Sequence, residues 1–263
     1  MSNQFDKIVT EVLKVSEADN RILAVCAAGS WITNEIDEYS DLDLVFIVKD
    51  GIVFTKDDMI LFASKIGSLV VSFTGEHIGE NRLLICLFDD PVLHVDLKFV
   101  QKTDFMKRVE NPKIIWEREK TATEIYSISF PKWPKPEFQW IEDHFWIWIH
   151  YAATKLGRGE LMETIEFLSA IRNMVIGPLY HMKYGKNPRG VRKLEFILNP
   201  EELESLRKTI PEYSFSSIKN AIYQAIYVYR EQRTLLYKED VVFRTKAENL
   251  SMEYLDRIKV SHL

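Results

Sequence analysis

Two aspartates one residue apart, Asp41 and Asp43, stand at the opening of a β-rich apolar run over residues 42–48. In an extended chain residues i and i+2 face the same side, so both carboxylates project from one face with Cα atoms roughly 6–7 Å apart. Two ionised carboxylates whose oxygens approach to about 4 Å repel by roughly 4 kcal/mol at an effective dielectric of about 20. A divalent ion relieves that repulsion, and hard oxygen donors on a short rigid base suit Mg²⁺. A third carboxylate, Asp96, lies mid-way along an alternating run that puts His94, Asp96 and Lys98 opposite Leu93, Val95, Leu97 and Phe99. If the two strands are neighbours, the three acids converge. That is the donor set of a two-metal phosphoryl-transfer site, where one ion organises a triphosphate and the other activates the attacking hydroxyl.

The surroundings reinforce this reading. No Lys or Arg occurs from Ile22 through Val48, whereas Glu35, Asp37, Glu38, Asp41 and Asp43 crowd together there. Glu35, Asp37 and Glu38 read as a solvated loop. Eleven residues before Asp41, the apolar run over residues 21–28 ends in Gly29-Ser30.

The order Gly29-Ser30, then Asp41-Leu42-Asp43, then Val95-Asp96-Leu97 resembles the signature of the polymerase-β-like nucleotidyltransferases. The resemblance implies that backbone N–H groups at Gly29 and the Ser30 hydroxyl meet nucleotide phosphates. It also implies that Asp41, Asp43 and Asp96 hold magnesium and that Asp96 serves as base. The reaction would be in-line attack of an acceptor oxygen on the α-phosphorus of ATP or another nucleoside triphosphate, with pyrophosphate leaving. The chain departs from many relatives in having Trp31-Ile32-Thr33-Asn34-Glu35, with no cation, after Ser30.

A strand-rich catalytic half followed by a helical half is similar to the bacterial antibiotic nucleotidyltransferases that modify aminoglycosides or lincosamides. Lys155-Leu156-Gly157-Arg158-Gly159-Glu160 resembles the Lys-x-x-Arg-Gly-Glu corner between two helices of those enzymes. By that resemblance Lys155 reaches the triphosphate; the plain alternative is that Lys155 and Arg158 cap a helix C-terminus. The implied acceptor is a small hydroxylated molecule, cationic in keeping with an acidic cleft. A protein hydroxyl as acceptor, and a binding module with little turnover, stay open at this point.

The elements that must position these residues follow from periodicity. Apolar residues at Phe5, Ile8, Val9, Val12 and Leu13 predict a helix ahead of the first strand. Residues 82–88 and 93–100 predict two strands joined as a hairpin through Asp89-Asp90-Pro91. Three prolines between Pro131 and Pro136 mark a connector. The expected fold class is α+β: a nucleotidyltransferase domain over residues 1–135, a small mixed β-sheet flanked by helices, then a helical bundle over 136–263 making acceptor and nucleotide contacts. Bundle helices are expected over 136–156, 160–184, 200–208, 214–238 and 247–258, with Ser214 or Ser216 as a cap and Gly157 and Gly159 as stops.

Bulk properties exclude other classes. A net charge of −5 over 263 residues argues against a chain that coats nucleic acid. No run approaches the length of a membrane span and no signal peptide opens the chain, so the expected location is cytoplasmic. Cys26 and Cys86 lie in apolar runs and read as core. The helix carrying Trp140, Phe145, Trp146, Trp148 and Tyr151 reads as packing the bundle core or the interdomain seam, and Lys183, Lys186, Arg189, Arg192 and Lys193 as a solvated basic loop.

Overall fold

The computed structural model of this chain describes residues 5–259. These divide between Trp133 and Pro134 into two compact units. The first is an α+β unit and the second is helical.

In the first unit, helix α1 (Asp6–Ala18) leads into strand β1 (Ile22–Ala27), the short turn α2 (Ser30–Thr33) and β2 (Leu42–Val48). Helix α3 (Lys56–Ile66), strands β3 (Ser68–Gly75), β4 (Glu80–Asp89) and β5 (Leu93–Gln101), the turn α4 (Lys102–Phe105), β6 (Lys113–Glu117) and α5 (Thr121–Ile128) follow. The sheet runs β3-β4-β5-β2-β1-β6. Strands β2 and β5 pair in parallel, and the other neighbours pair antiparallel, including the expected β4–β5 hairpin.

Alternation gives this sheet two different faces. Leu42, Leu44, Phe46 and Val48 of β2 and Leu93, Val95, Leu97 and Phe99 of β5 turn to one side, where they are buried with Phe5, Ile8 and Val12 of the α1 segment and Met59, Phe62 and Ile66 of α3. Phe99 stacks between Phe46 and Phe54, with ring centroids 4.5 and 4.4 Å away. A Thr55–Asp58 capping box starts α3. The opposite face is covered at one end, where Ala24, Cys26, Ile47 and Val100 pack with Phe105, Ala122 and Ile125 of α4 and α5. Both cysteines are buried, and burial pushes each thiol up to about 12.

Four elements escaped the sequence patterns: α3, β3, β6 and α5. Strand β3 lies at a sheet edge with Val71 and Phe73 exposed, so its apolar residues mark no buried face. Strand β6 is a short strand at the other edge, half-buried along most of its length.

The second unit holds α6 (Phe138–Gly157), α7 (Leu161–Ile171), α8 (Gly177–Lys183), α9 (Pro200–Arg207), α10 (Phe215–Leu236) and α11 (Thr245–Arg257). The helix expected over 160–184 is present as α7 and α8 joined by a wide π-type turn, Arg172–Ile176. Ser214 caps α10, accepting from Ser217 N at 3.3 Å. Ile141, Phe145, Trp146 and Ile149 of α6 are buried in the bundle core, whereas Trp140 is exposed.

One carboxylate breaks the apolar face of α6. Glu142 is completely buried and accepts hydrogen bonds from Trp146 Nε1 (3.2 Å), Tyr229 Oη (2.5 Å), Arg233 Nη1 (3.1 Å) and the Arg244 backbone N–H (2.9 Å). These donors lie on α6, α10 and the segment leading into α11, so the group ties three parts of the bundle together. Removing it takes from the largely buried Arg233 guanidinium one of its two carboxylate partners, leaving Glu248, and deprives the buried Trp146 Nε1 of its acceptor. Glu142→Ala is therefore expected to lower the unfolding free energy by about 1–3 kcal/mol, the cost of leaving buried donors unsatisfied, read as a fall in the denaturant midpoint without loss of the first unit's own transition.

Candidate active site

The site is built where β1 stops and β2 begins. The Ala28 backbone N–H donates to Asp43 O at 2.9 Å, which brings the end of β1 against the start of β2. Gly29 follows with φ +58°, and a Cβ placed there would lie 2.0 Å from Asp43 Oδ2. Only glycine fits, for both conformational and steric reasons. Ser30 opens α2, and its buried Oγ has no hydrogen-bond partner in the structure. The same holds for Trp31 Nε1, on a ring set edge-on to Phe5 at 6.0 Å.

Parallel pairing places Asp43 directly beside Asp96. Registered neighbours share a face, so both carboxylates rise from the sheet face opposite the α1–α3 core, about 5 Å apart at their Cα atoms. Asp41 lies one residue ahead of β2 and is half-buried like the other two. Burial pushes the Asp96 carboxyl above its ordinary range; His94 pulls it back and the charge of Asp41 adds to the rise. His94 Nε2 stands 3.0 Å from Asp96 Oδ1.

These donors suit a hard divalent ion. The carboxylates supply oxygen, the orphaned Ser30 hydroxyl lies on the turn that packs on Asp43, and the bare Gly29 lets the Asp43 carboxylate close on that turn. Among the described residues, however, no three acidic, imidazole or thiol side chains are gathered tightly enough to hold one ion as they stand. The register joins Asp43 to Asp96, and the electrostatics link Asp41 to Asp96.

The neighbouring acids do other work. Asp37 Oδ1 accepts from Tyr39 N (3.0 Å) and Ser40 Oγ (2.9 Å), forming a local turn, while Glu35 accepts from Thr33 Oγ1 at 3.0 Å. An ionic cluster not anticipated from sequence lies two residues along β5: Lys98 Nζ pairs with Glu80 at 2.8 Å, and Glu80 with Arg82 at 2.7 Å. Those two cations hold the Glu80 carboxyl down near 2. Its partners are spread over twenty residues, so no short motif announces it.

Lys155 belongs to the second unit, in the last turn of α6. Its ammonium pairs with Glu160 at 2.7 Å and Glu163 at 3.0 Å, and Arg158 approaches Glu160 at 3.7 Å. In the basic loop region Lys183 is paired with Glu202. Among the described residues no helix is long and apolar enough to cross a membrane.

Comparison with known proteins adds the family. The model of the streptomycin adenylyltransferase family matches residues 3–258. Among solved structures, an aminoglycoside 6-adenyltransferase from Bacillus subtilis is similar at 17% identity and TM-score 0.41, covering 99% of this chain and 100% of that one. A nucleotidyltransferase-like protein from Exiguobacterium sibiricum is similar at 13% identity and TM-score 0.39, covering 88% and 76%. No curated protein matches. The family match runs through both units and across Gly29-Ser30, Asp41, Asp43 and Asp96, and on that ground the chain belongs to the streptomycin adenylyltransferase family of nucleotidyltransferases.

Proposed function

We propose that the chain transfers AMP from ATP to a hydroxyl of a small, aminoglycoside-like antibiotic, using Asp41, Asp43 and Asp96 as the magnesium-holding acids. The observation that carries this is the in-register pair Asp43 and Asp96 beside the Gly29-Ser30 turn, within a chain of the adenylyltransferase family. Magnesium bound there would neutralise the three carboxylates and the triphosphate, and would make the acceptor hydroxyl easier to deprotonate.

The chain's own groups divide the remaining work. Ser30 turns its unpartnered hydroxyl to a phosphate oxygen, and the bare Gly29 lets the Asp43 carboxylate close against the turn that receives the phosphates. Asp96, raised by burial, is the group suited to take the proton of the acceptor hydroxyl as its oxygen bonds to the α-phosphorus and the bond to the leaving pyrophosphate breaks. His94 holds one oxygen of that carboxylate and leaves the other for chemistry. Lys155 supplies positive charge to the triphosphate, exchanging its carboxylate partners for phosphate.

The direct test is release of pyrophosphate from Mg²⁺ and ATP in the presence of a panel of aminoglycosides, with mass detection of an adenylylated product. Asp43→Asn and Asp96→Asn should each cut turnover at least about 100-fold, the scale of losing one strong contact to a developing charge; undiminished turnover in both sinks the assignment. Gly29→Ala should abolish ATP binding in calorimetry and lower the melting temperature, since the new methyl collides with Asp43 at a backbone angle that costs roughly 1–2 kcal/mol for other residues. Lys155→Met should raise the KM for ATP while leaving the melting temperature within a degree or two, because methionine keeps the covered stem packed and the partners Glu160 and Glu163 lie at the surface, where ion pairs contribute about 0–1 kcal/mol. A melting drop without a KM change would return Lys155 to helix capping.

A further inference from the structure

The sheet face that carries the acids does not end at them. Reading the register outward, Asp43 lies beside Asp96, Asp96 beside Ile85, and Ile85 beside Phe73. This single row crosses β2, β5, β4 and β3. The next row runs His94, Leu87, Val71. Cross-strand partners share a face, so Phe73, Ile85, Leu87 and Val71 lie on the same side as the two carboxylates. They are not covered: Val71 is 55% exposed, Phe73 46% and Leu87 40%. The small cluster that packs this face with α4 and α5 occupies its other end, around Ala24, Ile47 and Val100. The open part is therefore half acidic and half apolar, with His94 on the border.

Clustered apolar side chains on an open sheet face mark a contact surface more often than isolated ones do. Here the patch is continuous in register with the acid pair, which selects its occupant. We propose that β3 and β4 form an apolar shelf that seats the non-polar body of the acceptor, so that the acceptor class is amphipathic: a hydroxylated small molecule carrying an alkyl or aromatic substituent. The spacing sets its size. Phe73 is two strand spacings from Asp96, roughly 10 Å, so the apolar end sits about that far from the hydroxyl that reacts. The inference rests on the proposed function for what happens at the acid pair, but the shelf is a binding feature and is tested by binding.

The test is calorimetric titration of the full-length protein with methyl and octyl glucosaminide, the same amino sugar with a short or long aglycone, below the micelle threshold of the octyl compound. The octyl compound should bind at least about tenfold tighter, the gain from burying a few methylenes. Phe73→Ser and Leu87→Ser, both at exposed positions, should each shrink the gap to within threefold while leaving the methyl compound's affinity and the melting temperature unchanged. Asp43→Asn should keep the gap. Equal affinities in the native protein, or a gap that survives both serine variants, overturns the shelf. So does sedimentation as a dimer that Phe73→Ser dissociates, which would make the face a contact between copies. A persistent gap in a protein that adenylylates nothing would leave the shelf standing and remove the proposed reaction instead.

Discussion

Strands β2 and β5 are held side by side in parallel, and everything at the site depends on that pairing. It sets Asp43 against Asp96 in a register that a one-residue slip would destroy, because a slip turns the whole strand over and buries the acids against α1 and α3. The apolar half of each strand enforces the register. Leu42, Leu44, Phe46 and Val48 on β2 and Val95, Leu97 and Phe99 on β5 are all buried in the observed alignment, and a one-residue slip would expose them. The cost of this placement is two carboxylates on neighbouring strands with Cα atoms about 5 Å apart, and two unit charges at that separation would repel by roughly 3 kcal/mol at an effective dielectric of about 20. The structure offsets part of it through the contact of His94 with Asp96 and through burial that makes Asp96 hold its proton more readily. A divalent cation would remove the rest.

The second unit uses a buried carboxylate in the opposite way. Both oxygens of Glu142 are engaged by indole, phenol, guanidinium and backbone donors, and the group is sealed from solvent. Saturated in this way, it can fix helices relative to one another but has no free lone pair to offer a ligand. Asp96 differs in that its side chain is partly exposed and its rise in proton affinity comes from burial, with an acid as an added cause. The contrast separates a carboxylate saturated by the fold from one with an oxygen still open, although the two look alike as single acids in apolar runs.

That contrast also explains what the sequence disclosed. The acids at 41, 43 and 96 stood out because alternation fixes which way a strand residue faces, and Gly29-Ser30 through its order and spacing with them; that the turn packs on the Asp43 carboxylate and so admits glycine alone appears only in the fold. Strands β1, β2, β4 and β5 and the long bundle helices carried strong periodic patterns. The edge strand β3 did not, since neither of its faces is wholly buried, and its role in extending the open face appears only when register is known. Glu142 and the Glu80–Arg82–Lys98 cluster were hidden for a related reason: their partners are assembled by the fold from distant positions.

The lack of a cation between Ile22 and Val48 becomes intelligible at this point. A triphosphate brought to three carboxylates, a neutral serine hydroxyl and a bare glycine meets no positive charge from that stretch of the chain. Compensation has to come from divalent ions and from elsewhere in the protein. Lys98, on the same face as Asp96, is committed to Glu80, a carboxyl held strongly in its charged form. Lys155 is committed to Glu160 and Glu163, which are more exposed than Glu80, while the lysine's own side chain is 15% exposed against 37% for Lys98. Both ammonium groups are thus held by carboxylates within their own unit, and neither can meet phosphate without giving up a partner.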